Sequence, residues 1–363
     1  MTTEVGLHKT ELDTPVLWVE LDTMEANIRA LAAHFATAGV NWRPHIKGIK
    51  IPAVAQQMIA AGAIGVTCAK LGEAEVMAYA GIRDILIANQ IVGNQKITRL
   101  VSLAHYANLK VAVDNADNTA QIGGAAAAAG VEIGVLIEVN TGMNRAGVAP
   151  GEPALALARI VQQTPGLRFE GLMAWEGHTL SQSDPESKRK AIVEAVMQLT
   201  DSAALCRSAG LPVNIVSGGG SGTYQITPFL SGITEIQAGG AIFNDNTYRG
   251  WGVQTKPALF VRSTVTSRPH PTRIIFDIGF KSAPAWINKP TPIGIDGVQN
   301  VGTSAEHGIV TLESPNETIR IGDVFDFVIG YTDATLFLHD QLYGIRNDRV
   351  EVVWDVQGRG KLR

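Results

Sequence analysis

The 363-residue sequence has few cysteines and no long apolar run, and each of these absences excludes a class of protein. Its two cysteines, Cys68 and Cys206, are too few and too far apart along the chain for a disulfide framework or a thiolate metal site. No apolar stretch reaches membrane-spanning length, and residues 1–14 lack the apolar core of a signal peptide. We therefore expect a cytoplasmic protein that has no membrane partner.

Neither sign of charge dominates the sequence, because it has 30 Lys and Arg residues and 34 Asp and Glu residues, which gives a net charge of -4. Aromatic residues make up 6% of the chain, and they are not interleaved with a run of basic residues as in nucleic-acid-binding surfaces. The sequence therefore predicts no nucleic-acid partner. Its length exceeds what one simple core usually carries, so we expect two domains.

Strand-like apolar runs alternate with segments of helical periodicity through the first two thirds of the chain. The runs lie at residues 16–21, 40–46, 65–69, 85–88, 109–113, 133–139, 169–175, 213–216 and 235–243. Helical spacing is found between them, for example at residues 24–38, 52–61, 72–80, 116–129 and 153–162. Strands that alternate with helices in short units pair in parallel through right-handed crossovers. The runs after the first predict a (β/α)8 TIM-type barrel over residues 21–248.

The pattern changes near residues 248–251 to β-branched runs that are separated by Pro, Gly, Asn and Asp. These runs lie at residues 258–266, 273–277, 308–312, 323–329 and 349–354. Little helical periodicity remains, which indicates a second, mainly antiparallel β domain over residues 249–363. The predicted fold class is therefore α/β, a TIM-type barrel followed by a β domain.

Three turns with distinctive chemistry follow strand-like runs of the predicted barrel. They contain Lys47, residues 140–147 and residues 217–222, respectively. Catalytic groups of such barrels lie at the carboxyl ends of the strands, which is where these turns fall. A lysine there suits a Schiff-base nucleophile, although a single strand-end lysine is more often a solvated charge. The presence of the other two turns favours a nucleophilic role for Lys47 over a solvated surface charge.

The glycine-rich turn has the sequence Gly-Gly-Gly-Ser-Gly at residues 218–222. Backbone N–H groups of such a turn can close around a phosphate, because glycine permits close approach and positive φ. Gly239 and Gly240 offer a second set of donors further along the chain. A glycine turn alone is usually only a turn, but together with Lys47 and Arg145 it predicts a phosphate-binding site.

Eight short motifs follow one another along most of the chain. They are DTP at 13–15, RPHIK at 43–47, VDN at 113–115, TGMNRAG at 141–147, GGGSG at 218–222, QAG at 237–239, DIGFKS at 277–282 and EHG at 306–308. In this order they resemble the fold-type III pyridoxal-phosphate enzymes, and among these the D-threonine aldolase and D-serine dehydratase group. A match spread so widely is specific to the group but not to one reaction.

The resemblance implies roles for the residues of the barrel. Lys47 would carry pyridoxal 5'-phosphate, and Arg145 would contact the cofactor ring near its phenolic oxygen. The phosphate would be held by Gly219, Gly220, Ser221, Gly239 and Gly240. His45 either tunes Lys47 or packs and hydrogen-bonds at the strand end. The resemblance also implies that residues 1–20 join the β domain, and that the protein is a homodimer in which the β domain of one subunit covers the barrel of the other.

Two departures from the motifs of this group bear on catalysis. Tyr331 stands where metal-dependent members carry the histidine of a His-X-Asp or His-X-Cys pair, and a neutral phenol is a much poorer ligand for Zn²⁺ or Mn²⁺ than imidazole. Asp333 remains as a candidate ligand, so the metal requirement stays open. Residues 175–178 read Trp-Glu-Gly-His where D-threonine aldolases typically show Tyr-His-Gly. Glu176 or His178 then either serves as a base or only lines the pocket.

The resemblance implies a lyase that acts on a D-configured 3-hydroxy amino acid, by retro-aldol cleavage to glycine and an aldehyde or by dehydration and deamination. An amino-acid racemase is the alternative, since residues 140–147 and 330–333 also resemble alanine racemase, with Lys47 and Tyr331 as opposed bases. A third possibility is a cofactor-binding protein without turnover, but such proteins resemble a bare barrel. The match across both predicted domains favours the lyase.

Overall fold

The computed structural model describes residues 4–363, and its strands and helices alternate as follows. The strands are β1 (Val16–Glu20), β2 (Asn41–Trp42), β3 (Val66–Cys68), β4 (Asp84–Gln90), β5 (Asn108–Val113), β6 (Ile133–Glu138), β7 (Leu167–Met173), β8 (Ile215–Gly218), β9 (Glu235–Ile236), β10 (Leu259–His270), β11 (Arg273–Phe276), β12 (Thr291–Pro292), β13 (Val298–Thr303), β14 (Gly308–Leu312), β15 (Val324–Val328), β16 (Gln341–Arg346) and β17 (Arg349–Asp355). The helices are α1 (Leu21–Ala38), α2 (Pro52–Ala60), α3 (Leu71–Tyr79), α4 (Asn94–Ala104), α5 (Ala116–Ala128), α6 (Glu152–Gln163), α7 (Pro185–Ser208), α8 (Asn246–Gly250) and α9 (Thr332–Thr335).

The described residues divide into two compact units. The barrel unit comprises residues 31–47, 52–239 and 361–363, and the β unit comprises residues 4–30, 48–51 and 240–360. The segment 1–20 that the sequence assigns to the β domain includes residues 1–3, which lie outside the described residues.

A parallel sheet of eight strands forms the centre of the barrel unit, in the order β2-β9-β8-β7-β6-β5-β4-β3. The N–H of Ile46 donates to the carbonyl of Thr67 at 2.8 Å, and the N–H of Thr67 donates to the carbonyl of Pro44 at 2.9 Å. These bonds join the segment after β2 to β3 and close the sheet. Every residue of β6 is buried, as expected for a parallel strand that is covered on both faces. The predicted (β/α)8 barrel is confirmed.

A buried network of charges fixes the segment that leads to Lys47. Arg43 is 1% exposed; its Nε donates to Glu235 Oε2 at 2.9 Å, and its Nη1 forms an ion pair with Asp84. Lys110 Nζ lies 3.0 Å from the same Asp84 carboxylate. The network therefore links β4, β5 and β9 to the backbone that immediately follows β2. Removing one partner of such a buried pair typically costs about 3–5 kcal/mol, so the segment is firmly held.

The β unit is built on a mainly antiparallel sheet in the order β13-β14-β11-β10-β1-β16-β17, with β15 pairing to both β10 and β12. β1 pairs antiparallel to β10 and parallel to β16. Its core includes Trp18, whose ring stacks on that of Phe260 with centroids 4.7 Å apart. The predicted antiparallel β domain is confirmed.

The last strand of the barrel is shorter than the sequence predicts. The apolar run at residues 235–243 predicts one strand, whereas β9 ends at Ile236 and a 3-10 helix covers Gly240–Ile242. A Cβ at Gly239 would collide with the carbonyl of His45, so the backbones approach each other closely at this point. The chain turns there, and the apolar residues that follow are buried outside the sheet.

No helix among residues 4–363 combines the length and the apolar character needed to cross a membrane.

Candidate active site

Lys47 follows an extended segment that is hydrogen-bonded on both sides. The N–H of His45 donates to the carbonyl of Gln237 at 2.9 Å, while Ile46 pairs with Thr67 on the other side. The N–H of Lys47 donates to Nδ1 of His45 at 3.3 Å, so the imidazole hydrogen-bonds at the strand end. Lys47 itself is exposed. A rigid backbone therefore presents an accessible amine at the carboxyl end of the first barrel strand.

Arg145 lies in the turn that follows β6. The side chain of Asn140 organises this turn, since its Oδ1 accepts the N–H groups of Gly142 at 3.1 Å and Asn144 at 3.0 Å. Asn144 has a φ of +50°, a left-handed conformation that Asn adopts more readily than most residues. The guanidinium of Arg145 lies 3.4 Å from the buried carboxylate of Glu138, and its side chain is 54% exposed. The Glu138 carboxylate thus orients the guanidinium of Arg145, while the rest of the side chain stays accessible to a ligand.

Two carboxylates that the sequence analysis did not select support the same turn. Glu138, at the end of β6, accepts a hydrogen bond of 2.6 Å from the Gln90 amide. Asp114 accepts the N–H of Gly147 at 2.9 Å and closes the turn after Arg145. Asp114 belongs to the VDN motif, so the sequence carried a signal for it, whereas Gln90 and Glu138 have no local signature.

The glycine turn after β8 is anchored within the protein. Gly219 has a φ of +67°, and its N–H donates to Glu176 Oε2 at 3.2 Å. The N–H of Gly220 donates to the hydroxyl of Thr223 at 3.1 Å. A Cβ at Gly220 would collide with the ring of Trp175, so this position requires glycine. Ser221 is buried at the same turn.

Gly239 and Gly240 are both positions of close approach. Gly239 abuts the backbone of His45 in the barrel unit, as described above. Gly240 belongs to the β unit, where a Cβ would collide with the hydroxyl of Tyr248. Neither position tolerates a side chain without a shift of its neighbours, and their role as phosphate donors stays a prediction.

Glu176 is 2% exposed and contacts the glycine turn. Besides the N–H of Gly219, its carboxylate accepts the hydroxyl groups of Thr223 at 2.8 Å and Thr227 at 2.6 Å. Both carboxylate oxygens therefore accept hydrogen bonds from protein groups.

His178 lies in the 3-10 helix Gly177–Ser181 after β7, and its ring packs against the turn after β6. A Cβ at Gly142 would lie 2.7 Å from Nε2 of His178, and the φ of Gly142 is +122°. Among the described residues, no hydrogen-bond partner is found for two buried atoms, Nδ1 of His178 and Oγ1 of Thr141. The structure therefore brings His178 to the turn that carries Arg145, although the two residues are far apart in the sequence.

Tyr331 is the centre of an aromatic cluster in the β unit. Its hydroxyl donates to Asp333 Oδ2 at 3.0 Å, and the hydroxyl of Tyr248 donates to Asp333 Oδ1 at 3.5 Å. The ring centroids of Tyr248, Trp251 and Trp286 lie 5.8, 5.9 and 6.0 Å from that of Tyr331. Burial raises the pKa of Tyr331 strongly, and the charge of Asp333 raises it further. The phenol therefore keeps its proton at neutral pH.

Asp245 holds this cluster together and was not selected from the sequence. One oxygen accepts the N–H of Tyr248 at 2.8 Å, and the other accepts the N–H and the hydroxyl of Thr332 at 2.5 and 2.6 Å. It thus links the first turns of α8 and α9, although 87 residues separate Asp245 from Thr332 in the sequence. Burial raises the pKa of Asp245 to about 6, against the opposing effect of these hydrogen bonds.

Asp333, the candidate metal ligand, and the nearby His339 and Asp340 are each engaged with other protein groups. Within residues 4–363, no group of three or more His, Cys, Asp and Glu side chains is arranged to hold a metal ion. Asp333 accepts hydrogen bonds from two tyrosines. His339 Nε2 lies 2.7 Å from the carbonyl of Ser282, and Asp340 pairs with Arg359 at 2.6 Å.

Comparisons with known proteins agree with the fold and with the motifs. The family model described as "Alanine racemase, N-terminal domain" matches residues 19–247. A second model, for a serine dehydratase-like domain, matches residues 258–345.

Relatives align over nearly the whole chain. A D-threonine aldolase of Arthrobacter sp. is 36% identical over 356 residues, which cover 97% of this chain and 94% of that protein. A 3-hydroxy-D-aspartate aldolase of Paracoccus denitrificans (strain Pd 1222) is 32% identical and covers 98% of this chain and 94% of that protein. The crystal structure of D-threonine aldolase from Filomicrobium marinum superimposes with a TM-score of 0.96 at 34% identity, over 100% of both chains. The chain therefore belongs to the alanine racemase N-terminal domain family and, within it, to the fold-type III group of D-threonine aldolases and related dehydratases.

Proposed function

We propose that this protein is a pyridoxal-phosphate-dependent lyase that cleaves a D-configured 3-hydroxy amino acid to glycine and an aldehyde. The observation that carries the proposal is the placement of Lys47, Arg145 and the glycine turn at the carboxyl ends of β2, β6 and β8. Active sites of such barrels lie at this end. The named relatives are aldolases that align over nearly the whole chain, which supports cleavage over other reactions of the same cofactor.

The residues of the barrel unit fit the cofactor. Gly219 has positive φ, and a Cβ at Gly220 or Gly239 would collide with neighbouring groups, so these positions form backbone surfaces that a side chain would fill. The donor set also suits the cofactor's chemistry, since a lysine can form the Schiff base and an arginine can contact the ring. When bound, pyridoxal phosphate accepts electrons from a bond broken at Cα of the substrate. We assign its attachment to Lys47, its ring contact to Arg145, and its phosphate to Gly219, Gly220, Ser221, Gly239 and Gly240.

Cleavage between Cα and Cβ also requires that a proton leave the 3-hydroxyl group of the substrate. His178 is our candidate for accepting it, because its ring packs against the turn that carries Arg145. Imidazole is also the side chain that most often acts as a general base in enzymes.

The protonation of Tyr331 favours the lyase over the racemase. A racemase that uses Lys47 and Tyr331 as opposed bases needs the phenol to accept a proton from Cα. Burial and the adjacent Asp333 carboxylate raise the pKa of Tyr331, so the phenolate is strongly disfavoured. We assign Tyr331 as a hydrogen-bond donor toward the substrate, and we propose that catalysis needs no divalent metal.

A substrate panel tests the proposed reaction. The purified enzyme is incubated with both enantiomers of threonine, 3-hydroxyaspartate, serine and alanine, and the products are separated by chiral chromatography. We expect glycine and an aldehyde from a D-3-hydroxy amino acid, with no cleavage of the L-enantiomers. Release of ammonia and a keto acid in place of glycine would indicate the dehydratase, and interconversion of the alanine enantiomers would replace the lyase with the racemase.

We further propose that the protein works as a homodimer. Support comes from the exposed apolar side chains of one β-unit segment, in which Phe280 is 51% and Trp286 is 65% exposed. Exposed apolar clusters of this kind commonly mark interfaces. A second subunit would also keep water from the reacting centre. Sedimentation velocity at assay concentration tests this assembly, and a fully active monomer would contradict it. The cytoplasmic location stays a prediction.

A further inference from the structure

Trp175 and Glu176 follow β7, and both contact the glycine turn that follows β8. The ring of Trp175 lies against Gly220, since a Cβ there would be 2.5 Å from Cζ3 and 2.6 Å from Cη2 of the indole. Glu176 contacts the preceding residue through its hydrogen bond from the Gly219 N–H. Two consecutive side chains at the end of β7 therefore contact two consecutive glycines of the turn that follows β8.

The hydrogen bonds of Glu176 extend through the whole turn. Its Oε2 accepts Gly219, and its Oε1 accepts the hydroxyl groups of Thr223 and Thr227. Because the Thr223 hydroxyl donates its proton to Glu176, its lone pair is oriented to accept the N–H of Gly220 at 3.1 Å. Glu176 therefore fixes Gly219 directly and Gly220 through Thr223. The bonds from Gly219, Thr223 and Thr227 all end on the Glu176 carboxylate, and the bond from Gly220 depends on the orientation of the Thr223 hydroxyl that this carboxylate sets. Hydrogen bonds to charged groups are stronger than those between neutral groups.

This arrangement does not suit a general base. Glu176 is 2% exposed, and its two oxygens already accept three protein hydrogen bonds. A base must present a lone pair within hydrogen-bond reach of a substrate proton. A carboxylate close to a phosphate also repels it, so the contribution of Glu176 to phosphate binding comes from geometry and not from charge.

We propose that Glu176 is a positioning residue that sets the conformation of the phosphate-binding turn, residues 219–223, before the cofactor binds. Trp175 completes this support by packing against Gly220. The inference rests on the proposed function, because it takes the cofactor phosphate as the ligand of this turn. Ordering the turn in advance lowers the entropy cost of binding, which increases cofactor affinity.

The test measures cofactor affinity and amide exchange as well as activity. The dissociation constant for pyridoxal phosphate is measured by titrating the cofactor-stripped full chain, and hydrogen exchange is followed for the amides of residues 218–227. We expect Glu176→Gln, which keeps one acceptor oxygen, to weaken cofactor binding about tenfold, which corresponds to about 1.4 kcal/mol. Exchange of the Gly219 and Gly220 amides should accelerate in the same variant. Glu170→Gln, another carboxylate change in the barrel that leaves the turn untouched, is the matched control and should change neither quantity.

A second pair of variants keeps the proposal testable if Glu176→Gln folds poorly. Thr223→Val removes the hydroxyl that links Glu176 to Gly220 and should weaken cofactor binding by a similar factor, whereas Thr223→Ser should retain the affinity. Unchanged affinity and exchange in Glu176→Gln, combined with a loss of the acidic limb of the pH profile of kcat at saturating cofactor, would show that Glu176 is a base after all. If the native protein itself binds no pyridoxal phosphate, the proposed function fails and not merely this inference.

Discussion

Lys47→Gln is expected to lose the visible absorbance band of bound pyridoxal phosphate and to reduce activity by a factor on the order of 10⁴ or more, as when the nucleophile of a covalent mechanism is removed. The physical reason is that glutamine has no amine to form a Schiff base. The backbone of the two preceding residues is fixed by pairing on both sides, so the substitution should leave the fold of this segment intact. Borohydride reduction followed by peptide mass mapping measures the attachment directly.

Lys50→Gln is the matched control for this experiment, because it removes a second amine three residues later. Lys50 is 8% exposed, has a φ of +57°, and its carbonyl accepts the N–H of Gly358 at 2.8 Å. Its backbone is therefore held within the β unit, and we expect the variant to keep the absorbance band. Cofactor that stays borohydride-reducible in Lys47→Gln would overturn the assignment of Lys47.

The barrel was predictable from the sequence because its strands are buried on both faces. Residues such as those of β6 form short continuous apolar runs, and helices of regular periodicity separate them. The same property explains the error at β9, since residues 237–243 stay largely apolar after the strand has ended. Apolar patterning cannot detect that Gly239 meets the backbone of His45, which is a contact between distant parts of the sequence.

The supports of the candidate site could not be predicted in the same way. Glu176 accepts hydrogen bonds from residues 43, 47 and 51 positions further along the chain, and Asp245 accepts them from Thr332, 87 positions away. The local periodicity of a sequence cannot reveal hydrogen bonds between residues so far apart. Lys47, Arg145 and the glycine turn could be proposed from the sequence because each follows a strand-like run, and in a closed parallel barrel all such turns lie at one end.

Three strands of the β unit, β12, β13 and β16, lie outside the runs that the sequence predicts. β13 has the sequence Val-Gln-Asn-Val-Gly-Thr, and only Val301 in it is buried. Apolar and polar residues do not alternate regularly in this sequence, so it lacks the pattern that predicts a strand. By contrast, β14 alternates regularly between buried and half-buried residues, and its bounds match the predicted run at 308–312.

Tyr331→Phe is expected to lower kcat by a factor of about 10² to 10³, as when a hydrogen-bond donor to developing charge is removed, while the absorbance spectrum of the bound cofactor stays intact. The phenol donates to Asp333 and keeps its proton over the physiological range, so the variant loses a donor and little volume. Tyr248→Phe is the matched control, since its hydroxyl approaches the same carboxylate at a longer distance of 3.5 Å. We expect a smaller effect there. Equal losses in the two variants would indicate that the hydrogen-bond network, and not the Tyr331 proton, is what matters.

Metal dependence provides the complementary test of the same residue. The native enzyme should keep its activity after treatment with a chelator, because a phenol and one carboxylate make a poor site for Zn²⁺ or Mn²⁺. In Tyr331→His, the imidazole and Asp333 recreate the His-X-Asp pair, and activity should rise with added Mn²⁺. Adding Asp333→Ala to that variant should remove the response, which separates binding at the pair from binding elsewhere. Strong inhibition of the native enzyme by a chelator, reversed by a divalent metal, would show that other ligands complete a metal site, and the proposal that catalysis needs no metal would then have to be abandoned.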